Sequence, residues 1–393
     1  MRKIVRLMKN WQFIGPEGNT TAVDLPHTWN AIDGQDGGND YWRGTCVYRT
    51  RFAAPAFEEV SQQVWLQFEG VNASAKVILN GTEVCVHDGG YSTFRANITT
   101  LLREENILTV EVDNRVNDHV YPQKADFTFY GGIYRDVSLL VVHKDHIALG
   151  HYGDTGVKVT PTLCKDHTAD IRVETRLEGE GTVRVTLNDA EGKDVTMTLA
   201  HPHLWDGVKD PYLYTCVVEL ERGGEVVDTV STRVGVRSFR VDPKKGFFLN
   251  GRSYPLHGVS RHQDRKGLGN AISREMHDED MTLIRELGAN TIRLAHYQHD
   301  QYFYDLCDEY GMVVWAEIPY ISEHLPNGRQ NTIDQMEELI YQNYNHPCIV
   351  CWGVSNEITI STKDKADMLD NHHMLNDLCH KMDSTRLTTL ACY

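Results

Sequence analysis

The sequence predicts a multidomain protein of the β plus α/β class: two β-sandwiches, then the opening units of a parallel β/α barrel. Three observations carry this. Short strands with alternating apolar residues and Gly/Asn turns fill residues 1–240. After about residue 250 the pattern changes to strands and helices in strict alternation. Those later strands are continuous apolar runs, as expected when helices cover both faces of a parallel sheet.

In the first domain, "VWLQFEG" sets Val64, Leu66 and Phe68 against Trp65, Gln67 and Glu69, the period of a half-buried strand. "AKVILNGTEVCV" is two β runs around Asn80-Gly81, a hairpin signal. In the second, "ADIRVETRLEG" alternates Ile171, Val173, Thr175 and Leu177, and the turn spacing suits a smaller sandwich of immunoglobulin-like size. In the third, "REMHDEDMTLIRELG" places Met281, Ile284 and Leu287 on one helical face, with Gly288 as a stop. Helices are also expected in "QYFYDLCDEYG", "IDQMEELIYQNYN" and "DMLDNHHMLNDLCHKM". Strands are expected in "SYPLHGVSRH", "ANTIRLAHY", "MVVWAEIP", "CIVCWGVSNE" and "RLTTLACY", about 30 residues apart, the repeat of a (β/α)8 barrel.

Composition narrows the function. A net charge of −16 argues against a phosphate-backbone partner, so no nucleic acid is expected. No 18-residue apolar span suggests a membrane helix, and "MRKIVRLMKNWQF" lacks the core of a signal peptide. Nine scattered cysteines without framework spacing read as reduced thiols in a cytoplasmic protein. Cys348 and Cys351 lie inside a predicted strand and read as small core residues, as does Trp352.

In a β/α barrel, chemistry gathers at the C-terminal ends of the strands. Here those ends carry Arg261 and His262, then His296 and Tyr297, then Glu317, then Asn356 and Glu357. Two carboxylates on one rim suggest glycoside hydrolysis by a general acid and a second carboxylate. A general acid must keep its proton near neutral pH, which a site at the mouth of an apolar strand favours. The alternative is a rim glutamate that only pairs with an arginine. His262 and His296 could bind a metal, a hydroxyl or nothing; with no metal-ligand spacing nearby, hydrogen bonding to a sugar is the better reading. His372 and His373 read as a solvated helix face.

Several segments then resemble glycoside hydrolase family 2, the β-galactosidases, β-glucuronidases and β-mannosidases. They are "LPHTWNAIDGQDGGNDYWRGTCVYRTRF", "DFTFYGGIYRDVSLL", "HLWDGVKDPYLYTCVVEL", "VGVRSFRVDPKKGFFLNGRSYPLHGVSRHQD", "NTIRLAHYQHDQYFYDLCDEYGMVVWAEIP" and, most specifically, "NHPCIVCWGVSNE". The resemblance implies a jelly-roll sugar-binding domain at 1–145, an immunoglobulin-like sandwich at 146–240 and the first part of a TIM-barrel catalytic domain at 241–393. It implies a retaining mechanism with Glu357 as acid/base and Asn356 at the sugar's 2-hydroxyl. His262, His296 and Glu317 are expected around the substrate. Asp126 is expected to be lent to the pocket by the jelly roll, with Asp40 and Arg43 from a second loop. Magnesium or sodium is possible in this family, but Ile321, Glu323 and His324 stand where magnesium ligands would be, so no cofactor is expected with certainty. The nucleophile glutamate is expected beyond residue 393, which makes the sequence the front part of a longer, homo-oligomeric enzyme; the chain as given is expected to bind sugar weakly at most and not to hydrolyse it by the family route. Within the family, hydrolysis of terminal non-reducing β-D-galactosides is the leading expectation and β-glucuronidase the alternative. The rival of another class is a non-catalytic carbohydrate-binding fragment.

Overall fold

The computed structural model describes residues 2–33 and 41–392. The first sandwich pairs a six-stranded antiparallel sheet, in the order Thr20–Val23, Trp11–Ile14, Thr45–Ala53, Glu105–Asp113, Ser74–Leu79, Thr82–Asp88, with a four-stranded one. The latter runs Lys3–Arg6, Val137–His143, Gln62–Phe68, Phe94–Asn97. Asn80 (φ 53°) and Gly81 (φ 87°) make the expected hairpin turn, since both central positions are left-handed and Asn and Gly tolerate that. Val64, Leu66 and Phe68 point into the sandwich core. Trp65 does not face water as the alternation predicted. It is buried against Leu140, Val142 and Leu149, because the chain leaving the sandwich folds over that outer face.

The second sandwich has two antiparallel sheets, Val157–Leu163, Ala169–Thr175, Thr198–Leu199 and Asp194–Val195, Thr182–Asn188, Tyr214–Arg222, Glu225–Val234. A hairpin sheet (Phe239–Asp242, Gly246–Leu249, Arg252–Ser253) follows, and its Phe247 and Leu249 join the core of the barrel portion.

That portion is a five-stranded parallel sheet in sequential order: Gly258–Arg261, Thr291–Leu294, Val313–Glu317, Ile349–Asn356 and Leu387–Ala391. Helices α1 (Arg274–Glu286), α2 (Gln301–Tyr310), α3 (Arg329–Asn343) and α4 (Lys365–Met382) connect them. Local chemistry sets the ends. The Asp300 carboxylate accepts from Tyr302 N at the start of α2, and Gly311 (φ 72°) closes it in the left-handed conformation. Asp364 caps α4 through Ala366 N and Asp367 N. In α1 the buried stripe is His277, Met281 and Ile284. Leu287, expected on that face, is 74 % exposed, because the helix stops at Glu286 and the stripe runs one turn earlier.

Candidate active site

The fourth barrel strand delivers the key carboxylate. Its last residue, Asn356, is held on one side by Asn356 N–H to Tyr320 O (2.9 Å). At Glu357 the backbone turns into the left-handed region (φ 48°), uncommon for glutamate, and its N–H reaches across to Ala391 O of the fifth strand (2.8 Å). Strain of this kind persists where surrounding contacts over-determine it, and it collects at functional sites. The side chain is half-buried, and among the described residues its carboxylate receives no hydrogen bond.

The arginine that a merely structural Glu357 would need is spent elsewhere. Arg293, midway along the second strand, donates to Glu317 through Nε (3.0 Å) and Nη2 (2.9 and 3.1 Å), and to Asn356 Oδ1 through Nη2 (2.7 Å). His296 Nδ1 hydrogen-bonds the other side of Glu317. Glu317 has no exposed surface and both its oxygens are engaged, so it holds Arg293 and His296 instead of meeting a sugar, as had been expected of it. Because arginine only donates, the Asn356 atom facing it is the oxygen, which leaves Nδ2 as the group that can donate to a ligand. Gly353 makes room for the arrangement: a Cβ there would lie 2.5 Å from Glu317 Cβ and 2.4 Å from Trp315 Nε1.

His262 and His296 stand with ring centroids 5.2 Å apart. Burial, then the neighbouring His296, lowers the His262 pKa, so at neutral pH it is a neutral donor or acceptor. Tyr297 OH lies 3.3 Å from His262 Nδ1. Phe127 of the first sandwich packs against both histidines, 4.9 and 6.1 Å between centroids. The loop that carries it is fastened to the barrel by Leu325 N–H to Tyr121 OH (2.6 Å), Lys124 Nζ to Ser361 Oγ (2.7 Å) and Tyr130 OH to Asp264 (3.0 Å). Asp126 is exposed on that loop, and its charge is felt by His262. Arg43 braces the same loop from behind, donating to Asn114 O (2.7 Å) and Gln123 Oε1 (2.9 Å) beside the Phe129 ring. Asp40 lies outside the described residues.

The residues do not fit a magnesium site. Ile321 is a buried aliphatic, and both ring nitrogens of His324 are taken, by Tyr320 OH (2.7 Å) and Asp367 (2.6 Å). At the opposite end of the strands Asp308, His346 and Cys348 cluster within 4.8 Å. The Asp308 oxygens already serve Cys348 N–H (3.0 Å) and His346 Nδ1 (2.6 Å), and burial pushes the Cys348 thiol up, so this group is a satisfied structural knot.

Sequence reasoning missed Arg293 and Phe127. The available signal for Arg293 was a charge inside the otherwise apolar "TIRL". His372 was also misplaced: it is half-buried, with Nε2 2.7 Å from Ser355 Oγ, because α4 turns that position towards the fourth strand.

Three models of one family match the chain in series. The sugar binding domain of glycosyl hydrolases family 2 matches residues 19–143, the family 2 model residues 154–237, and the family 2 TIM barrel domain residues 240–391. A protein named β-glucuronidase from Bacteroides fragilis is 36% identical over 99% of this chain and 61% of its own length. The crystal structure of an FMN-binding β-glucuronidase from Facaelibacterium prausnitzii L2-6 is similar with a TM-score of 0.96 and 43% identity, covering 100% of this chain and 64% of that one. A putative β-galactosidase from Bacteroides fragilis gives 0.94 and 35%, covering 99% and 63%. The chain thus spans somewhat over three fifths of these relatives' lengths.

Proposed function

This chain belongs to glycosyl hydrolases family 2, and we propose that it carries the acid/base half of the active site of an exo-acting retaining β-glycosidase. The observation that carries the reading is Glu357, strained and, among the described residues, unpaired at the strand mouth, beside an Asn356 whose amide is oriented by Arg293. Glu357 would protonate the glycosidic oxygen as the leaving group departs, then take a proton from the water that completes hydrolysis. Asn356 Nδ2, His262 and the exposed Asp126 would hold sugar hydroxyls. Glu317 is too enclosed to be the second carboxylate. The nucleophile would then belong to the part of the relatives' length that this chain does not span, and the chain by itself would bind sugar without turning it over.

The favoured sugar is a terminal β-D-glucuronide, since the 36% and 43% relatives bear that name. A β-D-galactoside is the second reading. It is supported by the 35% structure and by the exposed Asp126, which suits a neutral hydroxyl. The net charge of −16 is summed over the whole surface, whereas the pocket loop itself carries Lys124 beside Asp126. Nine free cysteines support a cytoplasmic setting as part of the same proposal. The test is release of nitrophenol from aryl β-glucuronide, β-galactoside and β-mannoside by the full gene product. Turnover of the glucuronide alone supports the first reading and of the galactoside alone the second. Sugar binding without turnover of any would leave the non-catalytic carbohydrate-binding protein.

A further inference from the structure

We propose that the buried pair between His87 of the first sandwich and Glu338 of α3 is a positioning device for the substrate pocket, setting how firmly the loop with Lys124, Asp126 and Phe127 is presented to the barrel rim. Asn331, Gln335, Glu338 and Gln342 follow one another at helical spacing and form one polar stripe facing the first sandwich. The amides of the stripe grip backbone. Tyr121 N–H donates to Asn331 Oδ1 (2.9 Å), Asn331 Nδ2 to Asp88 O (3.0 Å), and Gln342 exchanges hydrogen bonds with Thr93 (2.9 and 3.0 Å). Tyr121 is the root of the pocket loop, and Asp88 is the neighbour of His87. The same face of one helix therefore holds His87 and the loop root.

Among these contacts the charged one is His87 Nε2 to Glu338 Oε1, 2.7 Å. The side chains are only 12 % and 9 % exposed. The His87 ring lies flat on Phe94, centroids 4.4 Å apart at 13°. Among the described residues, His87 Nδ1 and Glu338 Oε2 have no hydrogen-bond partner, so each side chain depends on the other. Removing one charge strands the other in a dry interface. The groups facing His87 are Glu338 and Asp334 from α3 and Asp88 from its own strand, and together they raise its pKa above the ordinary value against the opposing effect of burial. The sign follows. A raised histidine contributes fully below its unfolded value near 6.5, and the contribution is lost as pH rises through the higher folded value. The pocket loop should therefore loosen on the alkaline side.

The closing experiment has two arms. The first measures backbone hydrogen exchange of residues 121–130 in wild type, Glu338→Gln and His87→Gln, at pH 6 and 8.5 after correction for intrinsic rates. Both variants should exchange about tenfold faster in this segment, the ratio set by about 1.4 kcal/mol. Residues 157–234 should be unchanged, and the wild type alone should show the pH effect. The second arm measures KM and kcat for an aryl glycoside with the full gene product and rests on the function proposed above. KM should rise about tenfold, again about 1.4 kcal/mol, with kcat unchanged. Loop exchange equal to wild type in both variants, or acceleration spread evenly over all three domains, overturns the inference. Absence of turnover in the wild type sinks the glycosidase reading, while the exchange arm still decides this one.

Discussion

Replacing Glu317 by glutamine tests whether the rim network is held by a desolvated charge pair. The carboxylate is fully buried, and it receives three contacts of 2.9–3.1 Å from Arg293 plus one from His296. A glutamine of the same shape would turn a donor amide towards one of two donors and leave Arg293, 19 % exposed, without its counter-charge. Breaking a buried pair from one side costs about 3–5 kcal/mol. In a unit of this size each kcal/mol lowers the melting temperature by about 2–4 °C, so a drop of about 6–20 °C is expected. Thermal unfolding followed by far-UV circular dichroism measures it. Replacing both partners, Arg293→Met with Glu317→Leu, should recover most of the loss, because no charge is then stranded. A drop below about 3 °C for the single variant would place the pair among solvated surface bridges and refute the reasoning.

Two further outcomes follow from the same geometry. Gly353→Ala should destabilise by about 1–3 kcal/mol, because the new methyl meets Glu317 Cβ at 2.5 Å, and its sugar affinity should fall as the Arg293–Asn356 contact shifts; unchanged melting would show the strand can give way. Burial, with the Asp300 carboxylate opposite, pushes Glu69 up to about 7, so the folded protein binds a proton that the unfolded chain has released and stability falls as pH climbs from about 4.5 to 7. Glu69→Gln should flatten that fall, which a melting series across the window detects.

How much of this was legible in the sequence depended on whether the signal was local. The β/α alternation, the Asn80-Gly81 hairpin and the strand ends at Arg261, Glu317 and Asn356 were readable, because period and turn chemistry are local. What failed depended on distant neighbours. Trp65 looked solvent-facing until residues near Leu149 covered it, and His372 looked solvated until α4 met the fourth strand. The site divided in the same way. Glu357 announced itself by position, whereas the division of labour at the rim did not. The sequence set Glu357 apart as acid/base and placed Glu317 beside the substrate. In the structure Arg293 pairs with Glu317 and not with Glu357, and a glycine at 353 lets Glu317 sink to zero exposure. Phe127 could not be placed without knowing that its loop crosses to another domain.

The central claim is that Glu357 is the proton donor of a glycosidase, and leaving-group dependence addresses it most directly. Hydrolysis of an alkyl and a nitrophenyl glycoside of the preferred sugar would be compared in wild type and Glu357→Gln of the full gene product. The alkyl substrate, whose leaving group needs the proton, should slow by about 10²–10⁴, and departure of the nitrophenyl group should slow far less. Equal loss on both substrates, or no loss on the alkyl glycoside, would contradict the assignment.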